Sequence, residues 1–219
     1  MSQPAAHLNL WKHRLGQVPE SVWDQVHLET LVLADNDLTG ISPAIARLKR
    51  LRMLDLGHNA LREVPESLGD LEALSDFLYL HDNRLASLPV SLARLKHLRY
   101  LNISWNEFES LPECICAMRS LVELRASDNP ISALPDCIRQ LTALRELHLR
   151  NTKLTRLPDA VSSLLQLRQI DLRGTPLEHL PPSLAQLPRL EKIDLRWVAA
   201  LKLPSWLADL EARGCLVYR

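Results

Sequence analysis

A Leu-Pro or Val-Pro dipeptide returns along this chain at a nearly constant interval, and that interval leaves few folds open. Its prolines are Pro19, Pro65, Pro89, Pro112, Pro135, Pro158, Pro181 and Pro204, separated by 46, 24, 23, 23, 23, 23 and 23 residues. The double interval hides one member at Ile41-Ser42, where Pro43 sits one place late, so a period of 23 runs through the chain. The 48 leucines among 219 residues follow the same period. Units begin at Leu28, Leu51, Ser75, Leu98, Leu121, Leu144, Leu167 and Leu190, with a degenerate unit ahead of them. The fourth regular unit shows the pattern: Leu98, Leu101, Ile103, Asn106, Phe108, Leu111, Pro112, Ile115 and Met118 occupy places 1, 4, 6, 9, 11, 14, 15, 18 and 21.

The Leu-x-Leu segment alternates as a short strand does, and the half after proline is long enough for only a turn or two of helix. One such unit cannot bury enough apolar surface to offset the entropy of ordering it. Neighbouring units must supply the missing burial, and their strands then form a parallel sheet. The pattern LxxLxLxxNxLxxLPxxIxxLxx, quoted residue by residue above, resembles the 23-residue intracellular type of leucine-rich repeat found in the Ras group and in bacterial cytoplasmic proteins. The resemblance covers nearly the whole chain. It implies an α/β leucine-rich-repeat solenoid, or horseshoe, with a concave parallel sheet of about 9–10 short strands and convex 3₁₀ or short α-helical segments. The expected single domain divides into a degenerate N-terminal capping repeat over 1–27, regular repeats over 28–197 and a C-terminal cap over 198–219.

Place 9 is Asn in Asn36, Asn59, Asn83, Asn106 and Asn129, then Thr152, Thr175 and Val198. An inward amide there satisfies loop backbone groups that would otherwise be buried unpaired. Thr supplies part of that bonding and Val none, so the loop at 198–201 is expected to leave the regular turn. Trp206, Leu207, Leu210, Leu216 and Tyr218 are expected to close the core at that end, and Trp23 to help cap the first unit.

Charge is balanced, with 26 Lys+Arg against 26 Asp+Glu, which argues against a general nucleic-acid or membrane-surface binder. The balance is −3 over residues 1–110 and +3 over 111–219. The opening lacks a secretory signal pattern, and no apolar run approaches a transmembrane span. Cys114, Cys116, Cys137 and Cys215 are too few and too scattered to read as a disulfide framework or metal knuckles. These readings point to a reducing, cytoplasmic setting, although secretion as an effector without a classical signal stays open. Cys114 and Cys137 hold the same place in adjacent units and read as inert.

Side chains alternating with the buried leucines are expected to face out of the concave sheet at places 3, 5, 7, 8 and 10. Met53, Phe77, Tyr79, Tyr100 and Trp105 then converge on its middle. Exposed aromatics of this kind mark a protein or peptide contact, the alternative being rings that stack on one another and merely stabilise the sheet. Arg150, Arg173 and Arg196 form a row one strand apart, flanked by Arg125, His148 and Lys192. Either Asp171 and Asp194 neutralise that row, or it meets an acidic segment or phosphate of a partner. His81 and Trp197 complete the candidate surface. The extra residue Leu74 reads as a tolerated slip, with a bulge beside Phe77 and Tyr79 as the other reading.

Catalytic readings are weak. His58, His81, Asp55 and Asp82 have ligand chemistry, yet a sheet surface offers no evident second shell, so no metal or cofactor is expected. Ser104, one strand from His81, has no orienting acid or oxyanion donors. No Gly-rich phosphate loop exists among only six glycines. The expectation is a non-catalytic interaction module, a scaffold or signalling adaptor that binds a protein or peptide as a monomer or weak homodimer. The alternative is the substrate-recognition part of a larger enzyme, since bacterial effectors joining such repeats to ubiquitin-ligase domains are similar in the repeat region. Against it, the chain starts with Met and ends in a plausible cap, which reads as leaving no room for a further domain.

Overall fold

A computed structural model describes residues 6–219 as one ten-stranded parallel sheet whose strand order follows the chain. The strands are β1 His7–Asn9, β2 Thr30–Val32, β3 Met53–Asp55, β4 Phe77–Tyr79, β5 Tyr100–Asn102, β6 Glu123–Arg125, β7 Glu146–His148, β8 Gln169–Asp171, β9 Lys192–Asp194 and β10 Leu216–Tyr218. Each has three residues, and from β2 to β9 the middle one is buried, because successive side chains in a strand point to opposite faces. Register is strict, so place 3 pairs with place 3 and place 5 with place 5 along the array.

Among the described residues, eight of the convex segments are 3₁₀ turns. Proline immediately precedes seven of them, its ring fixing the extended-to-helical turn. In the eighth, Pro43–Arg47, the displaced proline becomes the first helical residue and Ser42 takes the cap, accepting a hydrogen bond from Ala44 N–H (3.2 Å). The ninth unit forms an α-helix, α1 Leu207–Ala212, instead. It ends in a Schellman turn in which Cys215 N–H donates to Leu210 O and Gly214 N–H to Glu211 O, with Gly214 at φ 89° where a side chain would be strained.

The place-9 asparagines tie consecutive units together. Asn106 Nδ2 donates to Leu80 O of the preceding unit (2.9 Å) and to Ile103 O of its own (3.1 Å), while its Oδ1 accepts from Leu85 N–H (2.9 Å). Asn36, Asn83 and Asn129 repeat the pattern. Thr152 and Thr175 reach only their own units, donating to Leu149 O and Leu172 O. At Val198 the side chain contributes nothing, and the loop closes on backbone turns from Val198 N–H to Leu195 O and from Leu201 N–H to Val198 O.

Three expectations need correction. Leu207 and Leu210 do close the core, with Trp206 packed against it, but Leu216 is 57% and Tyr218 41% exposed. Register explains this: Leu216 pairs with Lys192 and Tyr218 with Asp194, both outward places, leaving Cys215 and Val217 to face inward. The extra residue is not Leu74, which is fully buried in the place-1 position. Two residues, Ser75 and Asp76, separate Leu74 from Phe77 where Arg52 alone separates Leu51 from Met53, so a bulge absorbs the insertion and Phe77 regains register with Met53. Finally, Cys116 and Cys137 form a disulfide between adjacent 3₁₀ segments, their Cα atoms 5.7 Å apart. Cys116 lies two residues beyond the place that Cys137 shares with Cys114; at three residues per turn that offset turns it toward the next unit. At the other end Trp23 is fully buried; residues 1–5 of the expected N-terminal cap lie outside the described residues.

Two outcomes follow. Asn106→Ala leaves several buried backbone groups without partners and is expected to destabilise by about 3 kcal/mol, against about 1 kcal/mol for Thr152→Val, in chemical denaturation. Equal losses would remove the inter-unit role of the asparagine. Thiol labelling of unreduced, denatured protein should modify Cys114 and Cys215 alone; four modified cysteines would show that the Cys116–Cys137 bond does not form.

Candidate functional site: the concave face and its rim

Register places Phe77, Tyr79 and Tyr100 side by side on β4 and β5, with Met53 opposite Phe77 on β3. Ring centroids lie 5.4 Å apart for Phe77 and Tyr100, 5.0 Å for Tyr79 and Tyr100, and 5.9 Å for Phe77 and Tyr79. Phe77 and Tyr79 stack, with Tyr100 tilted against both, yet Phe77 stays 42% exposed. Burial pushes the Tyr100 hydroxyl up to about 12, Arg125 opposing it, and raises Tyr79 as well, with Asp55 adding to the effect. Both phenols stay neutral and serve as hydrogen-bonding tips on an apolar platform. Arg125 extends that platform, its guanidinium 6.0 Å from the Tyr100 ring.

Trp105 does not join this cluster, contrary to the expected convergence. It sits at place 8 on the rim and lines a neighbouring cavity of about 340 Å³ with Ser127, Asp128, Arg150 and Arg173. The reason lies in the backbone. Place 8 adopts the left-handed conformation in all nine units: Lys12, Asp35, His58, Asp82, Trp105, Asp128, Asn151, Gly174 and Trp197 have φ between 51° and 65°. Gly, Asn and Asp tolerate this region, whereas a bulky side chain pays strain there. Trp105 and Trp197 are nevertheless 57% and 73% exposed, so little packing offsets that strain. Place 7 departs from expectation too: Ala34, Gly57, Ser104 and Ser127 are buried, and only the larger residues there, such as His81 and the arginines, emerge.

The arginine row is paired within the chain. Arg173 and Arg196 each fork onto the aspartate two residues earlier, at 2.5 Å to Asp171 and 2.7 Å to Asp194, and Arg173 also lies 3.6 Å from Asp194. Arg150 reaches Asp128 at 3.0 Å. Burial would raise the Asp194 carboxyl, but hydrogen bonds from Arg196 and the nearby Arg173 hold it below the usual carboxylate range. Arg196 lies 5.7 Å from the Trp197 ring and 5.3 Å from the Tyr218 ring, so Trp197 belongs to a separate aromatic-cationic patch near the C-terminal end. Tyr218 was missed because the tail residues were read as core.

Glu123, Glu146 and His148 also come together, and the sequence reading did not single out the two glutamates. His148 Nε2 lies 3.2 Å from Glu146 Oε2 and 3.7 Å from Glu123 Oε1, and Arg125 Nε donates to the same Glu123 oxygen at 2.6 Å. His58 and His81 meet at 3.2 Å between their Nε2 atoms, and His58 Nδ1 lies 2.5 Å from Asp82. Burial lowers the His81 pKa, with His58 adding to the effect and Asp55 and Asp82 opposing it. Ser104 makes no hydrogen bond with His81; its N–H is held by Asn102 Oδ1 (3.0 Å).

Replacing Trp105 by Asn relieves the left-handed strain. The variant is expected to be as stable as the wild type or up to about 1 kcal/mol more stable in chemical denaturation. A loss above about 1 kcal/mol would make Trp105 a packing residue rather than a displayed one.

Comparison with known proteins is consistent with this geometry. The family model described as leucine-rich repeat region matches residues 76–150, and the one described as leucine rich repeat matches 6–61, 26–85 and 142–197. No curated protein matches at a significant level. Among solved structures, the plant peptide hormone receptor RGFR1 in complex with RGF2 is 27% identical with a TM-score of 0.74, over 91% of this chain and 32% of that one. The leucine-rich-repeat ectodomain of the membrane receptor kinase GASSHO1/SCHENGEN3 from Arabidopsis thaliana, in complex with CASPARIAN STRIP INTEGRITY FACTOR 2, is 28% identical with a TM-score of 0.74, over 88% of this chain and 24% of that one. A leucine-rich-repeat protein of Leptospira interrogans is 25% identical with a TM-score of 0.53, over 93% of this chain and 63% of that one. The chain thus spans less than two thirds of each of these neighbours. Among the described residues no helix is long and apolar enough to cross a membrane. With family models matching from residue 6 to residue 197 and every unit built as one strand and one convex segment, the chain belongs to the leucine-rich-repeat family.

Proposed function

We propose that this chain is a non-catalytic interaction module that takes a protein or peptide on its concave face. Phe77, Tyr79 and Tyr100 form the apolar anchor, Met53 and His81 extend it, and Trp105 borders it. Arg125, His148, Arg150, Arg173, Arg196 and Trp197 make the polar flank toward the C-terminal end. The observation that carries this reading is Trp105, an indole held in left-handed backbone and 57% exposed. Residues kept in sparsely populated backbone regions gather at binding sites, and Trp and Tyr dominate interface energetics. The two plant neighbours support the same reading, each being a receptor in complex with a named factor.

Internal pairing refines the role of the arginines. An acidic partner has to exchange with Asp128, Asp171 or Asp194 for each guanidinium, so the row selects orientation more than it adds affinity. The module acts as an adaptor in this reading. The other role is recognition on behalf of a catalytic part elsewhere. Its compartment bears on both, and the Cys116–Cys137 bond weighs toward an oxidising one against the cytoplasmic expectation.

The test is affinity capture from a lysate of the source organism, read by mass spectrometry, with wild type and Tyr100→Ala/Trp105→Ala in parallel. The double variant is expected to melt within a few degrees of the wild type and to lose the captured protein. Unchanged capture would remove the aromatic surface from the reading. A wild type that captures only itself, eluting as a dimer that the variant splits, would replace the adaptor role with self-association.

A further inference from the structure

Between β3 and β4 the rim carries two imidazoles from adjacent units. His58 is the left-handed residue of its unit and His81 follows β4 in the next. Their Nε2 atoms lie 3.2 Å apart, with the rings at 82°. The two nitrogens share a hydrogen bond as they stand; two nitrogens bonded to one tetrahedral ion at ~2.0–2.1 Å are separated by ~3.3–3.4 Å, so an ion can replace that bond with little movement of the rings once the His81 proton shifts to its Nδ1. We propose that His58 and His81 bind a late first-row divalent ion, Zn²⁺ or Cu²⁺, through their two Nε2 atoms, with Asp82 orienting His58 and the remaining positions open.

Three features separate this pair from a chance contact. Asp82 Oδ2 lies 2.5 Å from His58 Nδ1, which places the proton on Nδ1 and leaves the Nε2 lone pair free to ligate, as in a carboxylate–histidine–metal arrangement. Gly57 makes the approach sterically feasible, because a Cβ there would collide with the His81 ring. The surrounding charge also suits a cation: besides His58, the charges acting on His81 are the carboxylates Asp55 and Asp82. The rival cluster of Glu123, Glu146 and His148 contrasts on this point, since Arg125 already occupies Glu123 at 2.6 Å. Cys114 is no competitor either: burial raises its thiol to about 11 and keeps it protonated. Imidazole ligation suits the ions at the upper end of the divalent affinity series.

Calorimetric titration of the full chain with ZnCl₂ tests this, together with imidazole NMR to show which rings respond. Wild type is expected to take up one equivalent, with the His58 and His81 signals shifting and the His148 signal unmoved. His58→Ala and His81→Ala should each weaken binding by about tenfold or more, and Asp82→Asn by about 10–100-fold while both ligands and the left-handed backbone are kept. Gly57→Ala should weaken it by displacing the His81 ring, and His148→Ala should leave it intact. The proposal is overturned if wild type binds Zn²⁺ no more tightly than the His58→Ala/His81→Ala double variant, or if His148→Ala abolishes binding.

Discussion

A chain that turns back on itself every 23 residues must find partners for the backbone groups inside each turn, and in most of this molecule one asparagine amide per turn does so. Because that amide reaches both its own unit and the one before, it sets the distance and register between units as well as satisfying the loop. Strict register then aligns equivalent places in rows across the sheet. The clustering of Phe77 and Tyr79 with Tyr100 and the meeting of Glu123 with Glu146 follow from that alignment.

The asparagines stop at Asn129, and less exposed ionic contacts between units appear from there on; those before it, such as Arg47–Asp24 and Arg94–Asp70, lie in solvent. Asp128 pairs with Arg150 and with Asn151 across one interface, and Asp194 lies within reach of Arg173 across another. Half-buried ion pairs of this kind serve as inter-unit connections in units whose threonines bond only locally. The two halves of the solenoid therefore differ in how far such ion pairs are shielded from water. Salt screens the exposed pairs of the first half more strongly, whereas low pH bears on the buried Asp194 of the second, whose carboxylate its arginine partners stabilise.

Repeat length, strand position, the buried leucines and the asparagine ladder were legible because each follows from local periodicity. The rows on the concave face were legible as well, since a period of two decides which side chains alternate with the core. Three other features were not. Whether Ser75 and Asp76 or Leu74 absorbed the insertion depends on which residue the next strand accepts as a partner, a contact between units. The Cys116–Cys137 bond depends on the angular offset of two neighbouring 3₁₀ segments, which matching of equivalent places conceals. The separation of Trp105 from the other rings depends on a backbone dihedral, and counting places does not register the sign of φ.

That dihedral gives place 8 a character of its own. Nine positions along one rim share a conformation that is indifferent to what lies above it, so Lys, Asp, His, Trp, Asn and Gly all occur there with the core unchanged. Such a row behaves as an alphabet mounted on a fixed frame. Letters can be exchanged one at a time to rewrite what the rim displays, with glycine and asparagine as its unstrained blanks.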